Sequence, residues 1–206
     1  MVLLTRPAGG ETLDRVVASI GPVAITQREV EEEYHFEQFL QCRSPAGSPD
    51  PADRKAVLNR LISQQLLAEQ MGIEATESAS SKKAAEKTLN EVRKEFPSDT
   101  GYRSALHALG MTEPQVLKRL AIYQRTLRMI DERLRPSAWP DPKEVGTYYK
   151  ETFVPEYAKG HSTPPPPLAD VRDKIQEILV QRKMNQLLEK WLERLKSTSR
   201  VTIHSN

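Results

Sequence analysis

The residues of this chain that could do chemistry are few and scattered. There are four histidines, His35, His107, His161 and His204, and one cysteine, Cys42. None of them falls at the short spacing that pairs ligands around a metal ion. A catalytic thiol at Cys42 would need a base beside it to draw off its proton, and nothing in the sequence places one there. The chain has no Gly-rich phosphate loop, no His-Glu-x-x-His and no Gly-x-Ser-x-Gly. The residues therefore point away from an enzyme and call for no cofactor and no metal. Cys42 reads as a spectator thiol, and a single cysteine excludes an internal disulfide. His35, which follows "EEEY", reads as a solvated helix residue.

What the chain does have to place is apolar surface. Of 206 residues, 38% are hydrophobic and 28% charged, with few aromatics. Leu, Ile, Val and Ala recur in stripes, which suits helices with one buried face. Acids and bases nearly cancel, leaving a net charge of +2, so no strong field singles out nucleic acid or a membrane surface. No apolar run reaches the roughly 18 residues that would mark a transmembrane segment.

The elements follow from period and punctuation. Residues 1–13 read as a loose leader. "RVVASIGPVAIT", 15–26, reads as two short strands around a Gly21-Pro22 turn. Thr26 and Glu29 form a capping box for a helix running to about Gln41. "RSPAGSPDP", 43–51, is a loop. A second helix, 52–71, stops at Gly72, and a mostly polar third spans 77–95. A short helix covers 100–109. The helix over 113–135 has the clearest seam: Val116, Leu120, Tyr123, Leu127, Ile130 and Leu134, spaced for one face. Its outer face carries Lys118, Arg125, Arg128, Arg133 and Arg135, and Arg119 borders the seam. Asp141 caps a short helix to about Thr152, and a last helix, 168–196, leads into one strand at 200–204. A strand that is to be buried must pair its backbone groups. The strand at 200–204 is therefore expected beside the strands near 15–25, giving a mainly α fold with a small sheet made by both ends of the chain.

The order of these segments resembles the SurA-type periplasmic chaperones. "DRVVASIGPVAITQREVEEEY" resembles their opening strand–turn–strand and capped helix, and "LNRLISQQLLAEQMGIEAT" their next helix. "HALGMTEPQVLKRLAIYQRTLRMI" is similar to the long capped helix. "PDPKEVGTYYKET" resembles the short helix leading into a parvulin-type prolyl isomerase domain, and "LADVRDKIQEILVQRKMNQLLEKWLERLKSTSRVTIHSN" the helix and strand after it.

The resemblance implies a discontinuous helical chaperone core, 14–157 plus 168–204. The ten residues 158–167, with Pro164 to Pro167, would form a stiff linker where the isomerase domain would stand, since a domain needs roughly 50 residues or more. It also implies an ATP-independent holdase whose partners are unfolded or extended polypeptides, exported or destined for the outer membrane. These would be held in an apolar cleft for which Phe36, Phe39, Met111, Tyr123 and Met129 are the candidate lining. The stretch "MVLLTRPAGGETLD" has too short an apolar run for a signal peptide, so the sequence is either cytoplasmic or begins after a cleavage site, and the resemblance favours export to the periplasm. Two other readings stay open. One is a non-catalytic scaffold with the same fold; the other is nucleic-acid binding by the basic face of 113–135. A domain-swapped dimer through 156–168 is conceivable.

Overall fold

The computed structural model describes residues 14–72 and 78–204, so the leader at 1–13 and the expected helix start at residue 77 lie outside the described residues. The described chain is helical with one small sheet. Strands β1 (Val16–Ile20) and β2 (Val23–Thr26) form a hairpin, and helices α1 (Gln27–Leu40) and α2 (Pro51–Met71) follow. Helices α3 (Ala79–Glu95), α4 (Asp99–Leu109) and α5 (Glu113–Leu134) come next. A 3₁₀ turn at Arg135–Ser137 leads to α6 (Pro142–Tyr148), a π turn at Tyr149–Phe153 and α7 (Val154–Gly160). Last are α8 (Leu168–Thr198) and strand β3 (Val201–Ile203).

The strand order is β2-β1-β3, all antiparallel. The hairpin turns on Gly21 and Pro22. Pro22 cannot take a positive φ, so the left-handed position falls on Gly21, at φ +53. On the other edge of β1, Ser19 faces Thr202 and Ile20 faces Val201. The expected pairing of the two chain ends is thus present. Gly21 N donates to Arg200 O at 3.0 Å and His204 N to Val17 O at 2.9 Å. Antiparallel bonds alternate, so Ser19 and Thr202 form the bonded pair between them.

Helix starts follow their caps. Thr26 Oγ1 accepts from Glu29 N at 3.2 Å, and Glu29 Oε2 accepts from Thr26 N at 2.7 Å, the reciprocal box expected at α1. Asp141 and Glu144 repeat it at α6. Gly110, at φ +68, closes α4 in the left-handed conformation.

The chain divides into two compact units, each discontinuous in sequence, where the expectation was one core. Of the described residues, the first comprises 14–65, 92–112 and 199–204; the second comprises 66–72, 78–91 and 113–198. The boundaries fall inside α2 and α3, which run unbroken through them.

In the first unit the sheet contributes Ala18, Ile20 and Ile25 to the core, and α1 contributes Val30, Phe36 and Phe39. Phe39, Phe96 and Tyr102 form a three-way aromatic contact, with ring centres 5.6 to 5.8 Å apart. In the second unit α8 packs against α5 and α6. Val145, Val171 and Ile175 are buried together under Tyr149 and Phe153. Lys183 Nζ donates to Glu144 Oε2 at 2.7 Å, and Arg135 reaches both Asp131 and Glu177.

The linker is shorter and more ordered than expected. The helix that was to end near Thr152 continues to Gly160. Pro155 has no amide to offer the carbonyl four residues back, and the π turn just before it re-spaces the bonds. Tyr149, Phe153, Tyr157 and His161 stack in sequence along this helix. Two of them hold the proline strap: Tyr149 Oη donates to Pro166 O at 3.0 Å, and Tyr157 Oη pairs with Thr163 Oγ1 at 3.2 Å.

Two measurements check this architecture. Thr202→Pro removes an inward-facing amide of β3 and should cost about 1–3 kcal/mol in denaturant unfolding, while Thr202→Val should be close to neutral. The Lys183 ammonium, and then the Asp141 amide, hold the Glu144 carboxyl below its ordinary value of 4.5. A depressed carboxyl contributes stability above its unfolded value and loses it as pH falls through the folded one. Lys183→Met should therefore be less stable than the parent near neutrality, and the two unfolding midpoints should converge in acid well below pH 4.5.

Candidate functional site

The cysteine and the histidines each have a definite local setting. Cys42 is half-buried at φ +59, its thiol 3.5 Å from Val92 O, and burial pushes its pKa up, away from the thiolate. His35 is not a solvated residue, as expected, but a half-buried one: Nε2 lies 2.6 Å from Gly47 O and ties the 41–50 loop to α1. His161 stacks on Tyr157 at 4.0 Å, and His204 lies 3.4 Å from Ser19 Oγ. His107 shares a shallow hollow on α4 with Asp99 and Arg103. Arg93, and then Arg103, hold the Asp99 carboxyl below its ordinary range, so it stays a charged ion-pair partner. Among the described residues no cluster of His, Cys, Asp or Glu could hold a metal ion. No described helix is long and apolar enough to cross a membrane.

The basic face of α5 is largely engaged within its own unit. Arg128 donates to Ser80 Oγ, Arg135 to Asp131 and Glu177, and Arg133 lies 4.5 Å over the Trp191 ring. Arg119 and Arg125 have partners too. A cation already committed to a neighbour has less to gain from a phosphate.

The apolar seam of α5 holds the main surprise. Val116, Leu120, Ile130 and Leu134 are buried as the spacing predicts. Tyr123 and Leu127, in the middle of the same seam, are 49% and 42% exposed, and Ile122 beside them is 42% exposed. The helix has one continuous apolar face, but its central two turns are not covered. Here α3, α5 and α8 leave a groove of about 640 Å³. Ser81 and Ala84 of α3 form one wall, and Gln181, Met184, Asn185 and Leu188 of α8 form the other. Leu127 and Ile130 lie along its α5 side, and Arg128, Asp131 and Glu132 add charge there.

Local sequence explains the opening. Ser81 and Ala84 are too short to fill the space over Leu127. The walls are fixed by hydrogen bonds: Gln124 Nε2 to Thr88 Oγ1 at 3.1 Å, and Gln181 Nε2 to Asn185 Oδ1 at 2.9 Å. A flexible thioether, Met184, lies on the opposite side and can adapt to differently shaped neighbours.

The five residues expected to line a cleft are not brought together. Phe36 and Phe39 are corrected outright: both are buried in the first unit, Phe39 fully, so neither is available at the surface. Phe39 is held inside by Phe96, just after α3, and by Tyr102 of α4. Met111, between α4 and α5, is half-buried in the first unit. Met129 is half-buried on α5 and does not line the groove. Tyr123 alone is well exposed, one turn ahead of Leu127 on the same strip. Leu127, Met184 and Leu188 were missed as lining, although the seam already contained Leu127. What was legible was the face, not the gap in its cover.

The distinction between core and surface has a direct check. Phe39→Ala should cost about 3–5 kcal/mol of stability, since it empties a closed aromatic cluster. Tyr123→Ala should fall within about 0.5 kcal/mol of the parent. Urea unfolding of the two variants, followed by far-UV circular dichroism, reads both.

No family model matches the chain, and no curated protein matches it. What the groove can do has to be read from its own side chains.

Proposed function

We propose that this protein is an ATP-independent holdase that captures unfolded or extended polypeptides in the groove between α3, α5 and α8. The observation that carries this reading is the uncovered middle of the α5 seam. An aliphatic strip over two turns, facing a methionine and flanked by side-chain amides, suits an extended chain of varied sequence. The apolar groups offer burial without strict shape, and Gln181 and Asn185 can bond to a passing backbone. The segment order that resembles SurA-type chaperones supports the same reading. It extends it to exported or outer-membrane clients and a periplasmic location.

The energetics suit release as well as capture. Burying a few hundred Å² of apolar surface at roughly 25 cal/mol per Å² yields about 5–10 kcal/mol before costs. Ordering a flexible client offsets several of these. The few kcal/mol left should give weak binding, with dissociation constants from tens of micromolar into the millimolar range, and a negative heat-capacity change.

The test is aggregation of an unfolded outer-membrane protein, followed by light scattering without nucleotide. The parent protein should slow it at near-stoichiometric ratio. Leu127→Glu, a change at an exposed position, should leave the fold intact and remove most of the protection. Equal protection by the parent and Leu127→Glu would rule out the groove as the capture site. No protection by the folded parent would rule out the holdase reading.

A further inference from the structure

Two hollows meet on α5. Asp131 and Glu132 line the groove, and they also line a second hollow of about 340 Å³ formed with Arg135, Pro136 and Trp139. Trp139 is 60% exposed, more than any other large apolar residue among those described. An indole left this open between two prolines is an unused recognition surface.

The charges around it are unevenly committed. Asp131 accepts from Arg135 Nε at 2.8 Å, and the same guanidinium donates to both oxygens of Glu177 at 3.2 Å. Glu132 is exposed and has neither a hydrogen bond nor an ion pair among the described residues. Two carboxylates therefore share the Arg135 guanidinium, and a third, Glu132, lines the same hollow without a partner. The nearest other cations on α5 are turned elsewhere, Arg133 onto Trp191 and Arg128 onto Ser80.

We infer that the groove selects extended segments in which an arginine follows an apolar residue, the apolar side chain over Leu127 and the guanidinium between Glu132 and Trp139. This rests on the holdase reading and narrows its substrate class. Arginine fits better than lysine because a planar guanidinium can pair with a carboxylate and stack on an indole at once. Leu127 and Glu132 are five residues apart, roughly 7.5 Å along the helix and about 140° around it, which puts their Cβ atoms about 10 Å apart. An extended chain covers that in about three residues, so the motif is an apolar residue with arginine three positions on. The molecule as a whole carries a net charge of +2. Its long-range field would favour acidic peptides, so a preference for arginine would have to come from this local site.

The experiment uses three fluorescein-labelled peptides of one leucine-containing sequence, with Arg, Gln or Glu at the third position after the leucine. Binding is read by anisotropy. On the parent protein the Arg peptide should bind about three- to tenfold more tightly than the Gln peptide, from one exposed ion pair plus one cation–indole contact, and the Glu peptide should bind weakest. Raising salt should compress these differences. Glu132→Lys should reverse the order of the Arg and Glu peptides, and Trp139→Ala should reduce the Arg advantage. Leu127→Glu should weaken the Gln peptide. Circular dichroism confirms that each variant is folded. If the Gln peptide binds but the Arg and Glu peptides agree within about twofold, the arginine preference is overturned and the holdase reading stands. The same holds if Glu132→Lys leaves the order unchanged. If no peptide binds the folded parent, both are overturned.

Discussion

A helix can bury only as much of its apolar stripe as its neighbours cover. On α5 the stripe is continuous, and its ends, at Val116 and Leu120 and at Ile130 and Leu134, are buried. The middle is left bare because the facing residues of α3 are Ser81 and Ala84, whose side chains are too short to reach across. Filling that gap with larger residues would bury Leu127 and gain stability. It would also abolish the groove. The site thus depends on a deliberate shortfall in packing, and the ion pairs around it keep the shortfall from collapsing. Arg135 fixes Asp131 and Glu177 on two helices and Lys183 ties α8 to α6, while a hydrogen bond from Arg128 to Ser80 ties α5 to the start of α3.

These ion pairs are mostly half-exposed, so their worth lies in geometry more than in energy. Arg133 and Arg135 show the difference. Arg133 lies in the last turn of α5 and Arg135 just past its end, and they project to different sides, one onto the Trp191 ring and the other onto Glu177. A face that looks like a basic patch in sequence is spent on internal contacts, and the one unspent charge near the groove is an acid.

Most of the fold was legible because it follows local rules. The boxes at Thr26 and Asp141 announced their helices, Gly72 and Gly110 ended theirs, and the strand at 201–203 needed partners that only β1 could offer. Three things were not legible, each for a physical reason. The helix capped by Asp141 was expected to end near Thr152, but the π turn carries it past Pro155 to Gly160. Phe36 and Phe39 looked available for clients, but aromatic side chains at helical spacing fill a core whenever Phe96 and Tyr102 can reach them. Tyr123 and Leu127 looked buried, since period reveals a face and says nothing about what covers it. Glu132 and Trp139 carried no motif at all; only their meeting at the edge of the groove sets them apart.

The sheet also imposes a schedule. β1 is flanked by β2, made within seconds of it, and by β3, which lies beyond the whole helical body; Ser19 and His204, which meet across them, are 185 residues apart. At about 5–20 residues per second, one edge of β1 waits roughly ten to forty seconds on the ribosome for its partner. Through that interval the edge is an open template for any extended chain nearby. The sheet is thus finished last at the strand that was made first, and β1 keeps one open edge until β3 arrives.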